Sequence, residues 1–148
     1  MRDLSRVETF FVAWAFFFQV VLIVHFALRK WAFEAYVRPY GWLVYALGVG
    51  GLVLAILLMR DGQPWWLWFG GVLQFVWSVY GLWIEYARGI EWRNPPRWSI
   101  MGSYLTLYLS TIMFYWWPLA RLWRPLWYVY AVLFVIATVL NLVSHGPH

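Results

Sequence analysis

Few side chains in this sequence could do chemistry, and the ones that could are scattered. His25, Glu85 and His145 are of the types that bind zinc or iron, but no His-x-x-x-His or comparable spacing joins them, so no metal site is expected. Glu85 or His25 could move a proton for a lipid-like substrate, as membrane isomerases do. Against that, Glu85 stands three residues before Arg88, the spacing of an ion pair along one helix. The third chemistry is binding. Gln74, Trp77, Ser78, Glu85, Arg97, Ser103, Tyr104, Tyr108 and Asn141 are the residues that would line a site for a flat apolar molecule or a lipid head group. No catalytic residue is assigned, and the cofactor stays unknown.

The elements that must hold these residues are membrane-seeking. The 148 residues have room for one domain. A hydrophobic fraction of 64%, with 11% charged residues, lies far from soluble chains, where about a quarter of residues are charged. Five segments approach the roughly 20 apolar residues that cross a bilayer: 8–28, 40–59, 65–86, 99–117 and 125–143. The expected fold is an all-α integral membrane protein, a bundle of five transmembrane helices with short loops forming a single domain over 1–148. Arg29-Lys30 and Arg38-Pro39 bracket the first break, and Arg60-Asp61-Gly62-Gln63-Pro64 makes a tight polar turn. The run Glu91-Trp92-Arg93-Asn94-Pro95-Pro96-Arg97-Trp98 makes the third break. Pro118 and Arg121 to Pro125 make the fourth. The first span is read as retained, because Leu28-Arg29-Lys30-Trp31 after it offers no cleavage site.

Charge and cysteine content narrow the classes. The net charge of +5 comes from basic residues spread over short loops, where lipid head groups and topology require them, so no nucleic-acid partner is expected. Without cysteine there can be no disulfide, thiolate ligand, iron–sulfur cluster or c-type haem attachment. Arg2, Arg6, Arg60, Arg121 and Arg124 fall on the N-terminal side. Arg29, Lys30, Arg38, Arg88, Arg93 and Arg97 fall on the other, which leans only slightly towards the cytoplasm. Twelve of the fourteen tryptophans sit near the two interfaces, as an aromatic belt does, and only Trp14 and Trp77 lie deeper. Trp77 is about 18 Å along its helix, near the midplane, where its indole N–H wants a partner.

Helical spacing sorts the faces. Ala46/Gly50 and Gly51/Ala55 in the second span are small-xxx-small pairs that let another backbone come close. Gly71, Gln74, Ser78, Gly81 and Glu85 share one face of the third span. The fourth carries two stripes, Ser99/Ser103/Thr106/Ser110 and Tyr104/Tyr108/Thr111/Tyr115, and the fifth aligns Thr138, Asn141 and His145. Polar groups in hydrocarbon should face protein or a wet cavity, so the third and fourth spans are expected at the centre with these faces together. With alternating directions, His25, Glu85, Asn141, His145, Ser99 and Ser103 share the level of the Arg93–Arg97 loop. The plain structural alternative is bonding between helices with no ligand. Only His25 lies inside a span, so no bis-His haem pair forms, and no helix carries the charge stripe of a channel.

Trp92-Arg93-Asn94-Pro95-Pro96-Arg97-Trp98 and Tyr104-Leu105-Thr106-Leu107-Tyr108 together resemble a signature of the tryptophan-rich sensory proteins, the translocator protein family. Trp77-Ser78 and Leu140-Asn141 echo two further motifs. That family consists of five-helix membrane proteins that bind tetrapyrroles and sterols. In it the Pro-Pro loop follows the first helix, whereas here three spans precede it, and no functional residue is carried over. The sequence therefore favours a non-catalytic accessory or scaffolding subunit of a larger membrane complex, packing on partner helices, lipid or pigment. The alternative is a self-standing binder or transporter of a flat apolar ligand of tetrapyrrole or sterol type, and third comes an enzyme of lipid or isoprenoid metabolism. Expected partners are membrane lipids, partner subunits or a second copy, and an apolar small molecule. The expected location is the cell's inner or cytoplasmic membrane.

Overall fold

The structure is a computed structural model that describes residues 3–89 and 97–144. Glu91 to Pro96, including Arg93 and Asn94, lie outside the described residues, as does His145. Helix α1 (Arg6–Trp31) begins at Ser5, whose Oγ accepts from the Glu8 N–H at 3.2 Å. A π-helical turn over Phe33–Val37 and the three-residue α2 (Arg38–Tyr40) lead into α3 (Leu43–Arg60). The Asp61–Pro64 turn then reverses the chain into α4 (Trp65–Leu82), which continues through a π-helical turn over Trp83–Ala87. The last two helices are α5 (Trp98–Leu122) and α6 (Arg124–Ser144). The described residues are otherwise turns and caps, and no strand occurs among them.

Four helices are long and apolar enough to cross a membrane: α1, α3, α4 with its π-helical continuation to Ala87, and α6. Helix α5 has the length, at 25 residues, but its run of hydroxyl side chains leaves it less apolar.

The sequence places a break at Pro118, yet α5 runs through it and ends only at Trp123, where the backbone becomes extended. Proline removes the N–H that would bond the Phe114 carbonyl four residues back. That carbonyl lies against Gly70 of α4, where an added Cβ would sit 3.2 Å from it.

The long helices form a ring in the order α3, α4, α5, α6, α1, with α1 and α3 the loosest neighbours. The tightest pair is α3 with α4. A Cβ at Gly71 would collide with the Gly51 carbonyl oxygen and sit 3.1 Å from the Ala55 Cβ, so the two backbones meet directly. Gly48, Gly51 and Ala55 of the second predicted span thus pack on the next helix of the same chain, whereas Gly50 lies against Trp14 of α1 and Ala46 is exposed. Inside the ring, Phe11, Phe18, Leu22 and Phe26 of α1 face Tyr104, Tyr108, Ile112 and Tyr115 of α5, with Trp77 of α4 between them.

Candidate functional site

Two clusters of interior polar groups are built on α4 and its π-helical continuation. The first is built on Gln74, which is fully buried. Its Oε1 accepts from Trp14 Nε1 at 2.9 Å and from the Tyr115 hydroxyl, and its Nε2 donates to the Leu47 carbonyl at 3.2 Å. Trp14 Nε1 also points to the Tyr115 oxygen at 3.1 Å. One amide therefore ties α1, α3 and α5 to α4. In a setting without water, each of these bonds replaces an unsatisfied group.

The second cluster lies further along α4. Tyr45 of α3 donates to Glu85 Oε2 at 2.7 Å and is 2.8 Å from the Tyr104 hydroxyl of α5. Glu85 stands in the π-helical turn, while the Arg88 guanidinium lies 5.4 Å over the Trp83 ring. Between the clusters, Trp77 is 1% exposed and surrounded by four rings. The centroids are 5.1 Å away for Tyr45, 5.8 Å for Tyr104, 5.9 Å for Phe18 and 6.1 Å for Tyr108. Trp77 Nε1 and the Tyr108 hydroxyl have no hydrogen-bond partner among the described residues.

The residues singled out from sequence separate accordingly. Trp77, Tyr104 and Tyr108 pack together, Glu85 joins Tyr104 through Tyr45, and Gln74 belongs to the other cluster. Ser78 faces the α3–α4 seam, with its Oγ against Gly48. Ser103 is exposed, and its hydroxyl donates to the Ser99 carbonyl of its own helix at 2.9 Å. Thr106 does the same to the Gly102 carbonyl at 2.7 Å. The Ser99/Ser103/Thr106/Ser110 stripe thus does not face protein as expected, because serine and threonine can satisfy themselves on the preceding turn. Arg97 is exposed at the start of α5. Asn141 is buried on α6, where its carbonyl accepts from Ser144 Oγ at 2.8 Å, and no hydrogen bond among the described residues joins it to either cluster.

Trp14, Tyr115 and Tyr45 complete the two clusters without standing among the expected site residues. Apart from both clusters, Gln19 of α1 accepts from the Tyr130 hydroxyl at 3.2 Å. The depth of Trp14, away from both interfaces, was the available signal. His25 Nδ1 is 3.0 Å from the Tyr36 hydroxyl in the first loop. Burial raises that hydroxyl's pKa above its ordinary value, so Tyr36 stays neutral beside the imidazole. Among the described residues no three His, Cys, Asp or Glu side chains are placed to hold a metal ion.

No protein-family model, curated protein or solved structure gives a significant match to the chain. The likeness of 92–108 to the tryptophan-rich sensory proteins rests on those residues alone.

Proposed function

We propose that this chain is a five-span, non-catalytic membrane protein acting as an accessory or scaffolding subunit, through its outer surface. Helix α5 is taken as the fifth span. Its 25 residues rise about 37 Å, more than the roughly 30 Å of hydrocarbon. Its tyrosine face is covered by α1 and α4, and on its hydroxyl face Ser103 and Thr106 bond to the helix's own backbone. The single observation that carries the functional reading is Trp77 enclosed by four rings of the same chain. An interior packed with the chain's own rings supports outer faces as the working surface.

One observation favours the second reading, an interior ligand. Trp77 Nε1 and the Tyr108 hydroxyl are buried donors without partners among the described residues, and such groups in a native core call for an explanation. Gentle detergent extraction followed by native mass measurement separates the two. The scaffolding reading expects a partner protein at fixed stoichiometry. A lone chain carrying a bound chromophore or sterol would overturn it in favour of the second.

A further inference from the structure

Between α1 and α3, the loosest neighbours in the ring, lies an open groove of about 550 Å³ with almost wholly apolar walls. That volume is within the roughly 300–1,000 Å³ of ligand clefts. Phe10, Ala13 and Phe17 line it from α1, and Val53 and Leu57 from α3, with the Trp14 ring over Gly50 at its floor.

The spacing of these residues continues past the groove. On α1, positions 10, 13, 14 and 17 form one helical stripe, and Arg6 is one turn before Phe10 on the same face. On α3, positions 50, 53, 54 and 57 form the matching stripe, and Arg60 is the next turn after Leu57. The two helices run in opposite directions, so both exposed arginines stand at the same end, on the N-terminal side. Asp3 and Asp61 are exposed at that level too, and the Asp61 carboxylate accepts from the Gln63 amide at 2.8 Å.

Length decides what fits. From Arg6 to Phe17 the helix rises about 16 Å, half of the roughly 30 Å hydrocarbon core. A partner transmembrane helix would need a face as long as the bilayer, whereas this groove serves one leaflet and ends under two guanidinium groups. Arginine pairs with phosphate through two parallel N–H···O bonds. We propose that the groove holds an acyl chain of a phospholipid from the N-terminal-side leaflet, with its phosphate on Arg6 and Arg60. This site meets the first interior cluster only at the Trp14 ring of its floor, and it stands whichever reading of the clusters holds.

The test is native mass measurement of the full chain released from nanodiscs of palmitoyl-oleoyl phosphatidylglycerol, with parallel discs doped with the matching diacylglycerol. One phospholipid should stay bound per chain, and diacylglycerol, which lacks the phosphate, should not. Ala13→Trp fills the groove and should abolish retention. Arg6→Gln and Arg60→Gln, both at exposed positions, should each weaken it about fivefold. Equal retention by Ala13→Trp that has kept its helical circular dichroism would overturn the groove as the site. Unchanged retention in both arginine variants, or equal retention of diacylglycerol, would overturn the phosphate contact. A second protein chain released by Ala13→Trp in place of lipid would show a protein interface and overturn the proposal.

Discussion

Replacing Gly71 with alanine puts a methyl group where the Gly51 carbonyl oxygen now lies. The same methyl would be 3.1 Å from the Ala55 Cβ, against an ordinary carbon–carbon separation of about 3.5–4.0 Å. Neither obstacle is the flexible end of a side chain, so α3 and α4 must move apart by roughly half an ångström or more. Overpacking of this kind costs about 1–3 kcal/mol, and the better helix propensity of alanine returns up to about 1 kcal/mol. A net loss of about 1–2 kcal/mol is expected. Gly102 on α5 is the control, because a Cβ there meets nothing within 4 Å. Gly102→Ala should be neutral or stabilising by up to about 1 kcal/mol. Reversible unfolding in mixed micelles, followed by tryptophan emission, measures both. If Gly71→Ala is as stable as Gly102→Ala, the direct backbone contact between α3 and α4 is refuted.

Gln74→Leu removes three hydrogen bonds from the first cluster, each worth about 0.6 kcal/mol in a membrane interior, so the same unfolding assay should show a loss of about 2 kcal/mol. Tyr130→Phe should cost about 1 kcal/mol, since it strips the one bond made by the Gln19 amide. Gln19→Leu should cost less than that or nothing, because the Gln19 Nε2 is already without a partner among the described residues. Glu85→Gln keeps an acceptor for Tyr45 and should leave lipid composition and ligand retention in cells unchanged. Loss of a lipid product in that variant would restore the acid–base reading of Glu85.

The long elements were legible because hydrophobic runs and interfacial tryptophans mark helices directly. The buried tyrosine stripe of α5 was legible for the same reason, since large side chains at helical spacing have to pack somewhere. Its neighbouring serine and threonine stripe misled, because i−4 bonding to the helix backbone leaves no trace in sequence spacing. Gly51 announced a close approach, but a small-residue motif does not name its partner, and Gly71 stood out only as part of a polar face. Trp14 joins Gln74 across sixty positions of chain, a pairing that only the tertiary arrangement supplies. The two π-helical turns, at Phe33–Val37 and Trp83–Ala87, have no pattern that separates them from ordinary helix.

A five-span bundle requires α5 to cross the bilayer. The chain has no cysteine of its own, so single cysteines report without background. Arg88→Cys lies before α5 and Arg124→Cys after it, both at exposed positions. Labelling with a membrane-impermeant maleimide, in sealed cells and in inverted vesicles, shows which face each one occupies. The two cysteines should react from opposite faces of the membrane. Reaction of both from the same face would mean that α5 does not span, leaving a four-span protein.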